Sequence, residues 1–153
     1  MTDTTTTGPR RIVTGLDEQG RSCILIDGPV PRTERGNQLI WRAPALPADN
    51  GGGEDASVPF AMEHLKDGSA TFSVTELPVG MGRFLHATDT LDYLVILKGT
   101  IVLEMEVGEA TLRAGDCVVQ RGTVHAWRND GPDVATMASI TLPALPVGKG
   151  ATI

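Results

Sequence analysis

The chain has 153 residues with 13 basic and 19 acidic side chains, a net charge of −6 with neutral histidines, which suits one domain and leaves no room for a separate cofactor domain. That charge supplies no positive field for a phosphate backbone or an anionic membrane surface, so neither nucleic acid nor membrane is an expected partner. With 41% of residues apolar and 21% charged the chain is globular, its 18 glycines and 10 prolines point to many turns, and with three Phe, two Trp and one Tyr each aromatic is informative about a pocket.

Residues 1–9, MTDTTTTGP, hold four consecutive threonines and no apolar run, and are read as a disordered tail rather than a signal peptide. No later stretch approaches the roughly 18 apolar residues of a membrane span, so a soluble, cytoplasmic protein is expected. Cys23 and Cys117 have neither a CxxC nor a zinc spacing and are read as reduced thiols.

From residue 10 to 146 the pattern is that of one domain built from short strands. Alternating or β-branched runs cover Arg11 to Thr14, Ser22 to Asp27 and Gln38 to Arg42. Residues 43–58, APALPADNGGGEDASV, then break the pattern and are read as a mobile loop. Pro59 to Lys66 is the one helical candidate, a turn or two long. Further runs follow at Ala70 to Leu77, Phe84 to His86, Leu91 to Leu97, Ile101 to Val107, Thr111 to Leu112, Asp116 to Gln120, Val124 to Arg128 and Val134 to Thr141. Strands at this spacing predict an all-β fold, an antiparallel sandwich or barrel. In Ile101 to Val107 the residues Ile101, Leu103, Met105 and Val107 share the inner face, with Glu104 and Glu106 solvated. The run Leu91 to Leu97 is apolar on both faces beyond Asp92, which calls for a second cover from another sheet or a partner subunit.

Chemistry gathers at two places in this frame. His86, Thr88 and Asp92 have one parity, so an extended segment projects all three to one face, and Asp92 heads the apolar positions Leu94 and Ile96. An ionisable group there is costly to bury unless it is paired, hydrogen-bonded or metal-bound. His125 and Trp127 share a face of a later strand, and barrel closure can bring the two histidines and the carboxylate together. Tyr93 has the opposite parity and faces away. Thr90 reads as a turn residue.

Gly80-x5-His86-x-Thr88-x3-Asp92-x6-Gly99, followed after residues 100–114 by Gly115-x4-Gln120-x-Gly122-x2-His125-x3-Asn129, resembles the paired motifs of the cupin superfamily. In that family the first motif carries two histidines and a glutamate, and the second a proline and a histidine. The resemblance covers a core of about 70–142 and implies a small, single-domain cupin-type antiparallel β-barrel or jelly roll, pairing as a homodimer through an outer sheet. The four motif glycines are read as barrel corners.

Where the family places metal ligands, this chain has His86, Asp92 and His125, with Thr88 replacing a histidine and Asp92 a glutamate. Two histidines and one carboxylate form a facial triad suited to Fe(II), with Mn, Ni or Zn also open, while the loss of a ligand at Thr88 leaves a metal-free site open. The resemblance implies a small-molecule enzyme with catalytic His86, His125 and Asp92 and with Thr88, Trp127 and Gln120 contacting substrate. Metal-dependent oxygenase or lyase chemistry is expected. The alternatives are metal-free acid–base catalysis (a dehydratase, isomerase or cyclase) and a non-catalytic small-molecule-binding module.

Overall fold

The computed structural model describes residues 9–30 and 36–153, so the expected tail at 1–9 lies, apart from Pro9, outside the described residues. Ten strands follow in chain order: β1 (Arg10–Leu16), β2 (Ser22–Pro29), β3 (Asn37–Ala43), β4 (Ala70–Leu77), β5 (Thr90–Lys98), β6 (Thr100–Met105), β7 (Glu109–Arg113), β8 (Cys117–Gln120), β9 (His125–Arg128) and β10 (Ala135–Pro143). The helical candidate is a single 3-10 turn, Met62–Leu65. Among the described residues no helix is long and apolar enough to cross a membrane.

The fold is all-β and antiparallel, a two-sheet jelly roll. One sheet runs β3-β4-β10-β5-β8 and the other β7-β6-β9. Alternation decides which side chains lie between them. From the larger sheet come Leu77, Leu94, Ile96, Ala135 and Met137, and from the smaller Ile101, with Leu112 and Trp127 packed against the cluster. The expected inner face of the β6 run holds for Ile101 and Leu103. Val107 departs from it: β6 stops at Met105, whose N–H bonds to the Gly108 carbonyl in a tight turn, and Val107 stands out in solvent. Glu104, expected to be merely solvated, accepts from Arg83 at 2.6 and 2.8 Å and from Arg128 at 3.4 Å.

Phe84 to His86 does not form a strand. His86 alone makes an isolated bridge, to His125. All four motif glycines have positive φ, and at two of them the space matters as well. A Cβ on Gly122 would lie 2.6 Å from the Thr88 carbonyl oxygen, and one on Gly99 would lie 2.8 Å from the Ala135 Cα. At Gly122 the missing side chain lets the β8–β9 turn lie directly against the segment that carries His86, Thr88 and Thr90.

The β1–β2 hairpin is a sheet of its own, and a buried cation helps to dock it. The buried Arg11 grips both oxygens of Asp55 at 2.6 Å, donates to the Ile40 carbonyl at 3.1 Å, and lies 6.0 Å from the Trp41 ring centroid. A bidentate pair of this kind fixes geometry as well as charge. Residues 44–58 carry no helix or strand, as the composition requires, yet the far end of the loop is fastened, by Asp55 and by the Ser57 hydroxyl donating to the Leu39 carbonyl at 2.8 Å.

The outer face of the larger sheet has no second cover within the described chain. Cross-strand register lines up Phe72, Ile140, Tyr93 and Val119 in one row, and all four are exposed. Tyr93 therefore faces away from the interior as expected, and the cover foreseen for Leu91 to Leu97 does not come from another sheet among the described residues.

Candidate active site

The inner face of the larger sheet changes character along the strands. Gln120, Asp92, Thr141 and Thr71 are register partners across β8, β5, β10 and β4, and they form a polar row at one end of the interior. Beyond them Leu94, Ile96 and Met137 make the apolar remainder. Against the polar end lie the two histidines.

His86 and His125 exchange both backbone hydrogen bonds, at 3.0 and 2.9 Å, and their ring centroids are 4.5 Å apart. Each ring is fixed by the carbonyl two residues before it. His86 Nδ1 lies 3.0 Å from the Phe84 oxygen, and His125 Nδ1 lies 2.9 Å from the Thr123 oxygen. A carbonyl only accepts, so both Nδ1 atoms carry the hydrogen, and in the neutral rings both Nε2 atoms keep a lone pair. Burial pushes the His125 pKa down from 6.5, against the bond to Thr123, and the nearby His86 lowers it further.

Aromatic rings flank the pair. Phe84 stacks on His86 with centroids 5.1 Å apart at 17°, and Trp127 meets His125 edge-on at 6.0 Å. Trp127 thus packs against the core and reaches the His125 ring. Phe84 is exposed and was not singled out from sequence, although it precedes His86 by two residues on the same parity.

Asp92 sits in the polar row with Oδ1 buried and without a hydrogen-bond partner. Desolvation raises its pKa above the ordinary 3.8, while the hydroxyls of Thr90 and Thr141 and the charge of His86 oppose the rise. Thr90 corrects the reading as a turn residue. It is the first residue of β5, it is buried, and its hydroxyl lies 2.7 Å from that of Thr88. The Thr88 and Thr90 hydroxyls are thus paired with each other, and Thr90 also acts to lower the Asp92 pKa against its desolvation. Thr141, also buried, was missed because β10 carries no motif. Gln120 points inward beside Asp92, and its amide donates to the Thr123 carbonyl at 3.0 Å and hydroxyl at 2.9 Å. The carbonyl that orients His125 is thus itself held by Gln120.

The expected metal set of His86, Asp92 and His125 does not come together as one. Among the described residues no three His, Cys, Asp or Glu side chains converge closely enough to hold an ion. The two imidazoles meet, while the Asp92 side chain stays in the polar row with Gln120, Thr141 and Thr71. Two imidazoles, without a third converging side chain, are the donors that the described residues offer an ion here.

No family model matches the sequence. The cupin-domain-containing oxidoreductase fogC of Aspergillus ruber is 33% identical over 129 residues, spanning 78% of this chain and 63% of that protein. A cupin-domain-containing oxidoreductase of Neurospora crassa, srdD, is likewise 33% identical over 129 residues, covering 78% of this chain and 65% of that protein. Phomopsin biosynthesis cluster protein D of Diaporthe leptostromiformis is 37% identical over 82 residues, 52% of this chain and 43% of that protein. The chain thus spans less than two-thirds of the length of these curated relatives.

The two buried ionisable groups make opposite demands on pH. Asp92 in the native state holds a proton that the unfolded chain releases above its ordinary 3.8, so its burial costs stability as pH rises beyond that value. His125 in the native state releases a proton that the unfolded chain holds below 6.5, so its burial costs stability as pH falls through that value. In urea titrations, Asp92→Asn is expected to gain on the wild type as pH rises above the ordinary 3.8, and His125→Gln to gain as pH falls below the ordinary 6.5. Differences that stay flat across those windows would contradict the assignments.

Proposed function

Because the chain is a small protein of the cupin superfamily, we propose that it is an enzyme of small-molecule biosynthesis whose site moves protons between His86, His125 and a carbonyl-bearing substrate. The observation that carries this reading is the pair of facing imidazoles, both with Nδ1 bound to a carbonyl and Nε2 left as a base. One Nε2 removes a proton from the carbon beside the substrate carbonyl. The electron pair moves into an enolate, whose oxygen takes a hydrogen bond from protonated Asp92, the form that its burial favours. The imidazolium so formed, directly or through the second imidazole 4.5 Å away, then gives the proton either to another carbon, which isomerises the substrate, or to a departing hydroxyl, which leaves as water. Atoms balance in both cases, and a general acid–base pair of this kind contributes about 10²–10⁴-fold in rate.

The names of the curated relatives support the biosynthetic setting, and two of them, called oxidoreductases, favour a second reading in which the net reaction is an oxidation. Product mass separates the readings: it is unchanged or lower by one water for proton transfer, and for oxidation by O2 it is lower by two hydrogens, which leave on the reduced oxygen, or higher by the oxygen inserted. The step itself is tested by incubating the protein in D2O with small β-hydroxyketones and β-diketones and following loss of the α-C–H signal by NMR. The proton-transfer reading expects exchange that survives chelator treatment and falls by about 100-fold in His86→Gln and in His125→Gln. Exchange that is abolished by chelation and restored by Fe(II) would overturn it in favour of a metal site.

The open row of Phe72, Ile140, Tyr93 and Val119 supports a homodimer in which a second copy supplies the missing cover. Light scattering is expected to return twice the chain mass, and a monomeric mass would remove the dimer.

A further inference from the structure

The segment that carries His86, Thr88 and Thr90 is held from two sides. Its backbone alternates as a strand does, so His86 turns its N–H and C=O toward β9, where both meet His125. Ala87 turns its own pair the other way, and there the partner is Thr152. The Thr152 hydroxyl accepts from the Ala87 N–H at 2.8 Å, and the Thr152 N–H donates to the Ala87 carbonyl at 2.9 Å. Asp89 is gripped by the same stretch. Its carbonyl accepts from the Ala144 N–H at 3.0 Å, and its Oδ1 accepts from the Ala151 N–H at 2.8 Å. Gly150 is buried against this contact, where a Cβ would come 3.3 Å from Asp89 Oδ1.

We infer that residues 144–152 form a strap that positions the catalytic segment, with Thr152 as the positioning residue. Ala87 is only 2% exposed, so a backbone group there without a partner costs free energy, and the Thr152 pair removes that cost only in the register that brings His86 opposite His125. Shifting this segment by one position would turn His86 toward the strap and Ala87 toward β9. The strap thus selects which of two neighbouring residues faces the second histidine. No sequence pattern exposes this role, because Thr152 lies outside both glycine-rich motifs and becomes adjacent to Ala87 only when the barrel closes.

The inference rests on the proposed site, but its test needs no turnover, so failure of one is distinguishable from failure of the other. Thr152→Val keeps the backbone donor and the shape of the side chain, removes the acceptor, and sets a methyl where water would otherwise enter. Amide hydrogen exchange by NMR is expected to show protection at His86 and His125 reduced about 10-fold, with the β6 amides of Ile101 and Leu103 unchanged. Thr152→Ser, which restores the acceptor, is expected to restore protection. As a second pair, Asp89→Ala removes the grip on Ala151 and is expected to loosen the same two amides, while Asp89→Asn, which keeps Oδ1, is not. Unchanged protection at His86 and His125 in Thr152→Val, or an equal loss at all amides, would overturn the strap. If Thr152→Val does not fold, the Asp89 pair decides by the same criterion.

Discussion

The reciprocal backbone pair between His86 and His125 is the contact on which the site depends. It joins an otherwise strandless segment to β9, and it sets two imidazoles 4.5 Å apart at a 48° tilt. Each neighbouring feature serves that contact. Gly122 leaves room for the β8–β9 turn to lie on the Thr88 carbonyl, Gln120 holds the Thr123 carbonyl that orients one ring, and Phe84 supplies both carbonyl and stacking partner for the other. Side chains so constrained lose little further freedom when a substrate arrives.

The second constraint is the division of one interior into a polar and an apolar end. Cross-strand register forces Gln120, Asp92, Thr141 and Thr71 to share a row, and Leu94 with Ile96 follow Asp92 inward along β5. A carboxyl bordering such a core is stabilised as the neutral acid, and the threonine hydroxyls only partly offset the desolvation. The same interior thus holds a carboxyl whose burial favours the protonated form and, at His125, an imidazole whose burial favours the neutral form. Opposed preferences of this kind separate acid from base at one pH.

Much of this was legible in the sequence, for reasons that differ by residue. Alternating and β-branched runs located nine of the ten strands to within a few residues, and in the larger sheet and β6 the alternation follows burial of one face. The tenth, β7, was longer than the two residues read for it, since its side chains are largely exposed and carry no hydrophobic signal. His86, Asp92 and His125 stood at motif positions, and parity correctly sent Tyr93 outward. What parity could not give was separation in depth. It put His86, Thr88 and Asp92 on one face, whereas the fold leaves Asp92 among threonines and lets only the imidazoles meet. Thr90 was misread because a strand that begins at the turn looks like the turn itself. Thr141 and Thr152 were invisible because their importance comes from register and closure, which no local pattern encodes.

The most direct measurement of the central claim is a long-range ¹H–¹⁵N NMR spectrum of the histidine rings in the wild-type protein near neutral pH. If the Phe84 and Thr123 carbonyls fix the two imidazoles, both His86 and His125 show the tautomer with hydrogen on Nδ1 and an unprotonated Nε2, each with a slowly exchanging Nδ1–H. A dominant Nε2–H tautomer at either ring, or rapid interchange between the two forms, would contradict it, because the base on which the proposed chemistry depends would then not be held in place.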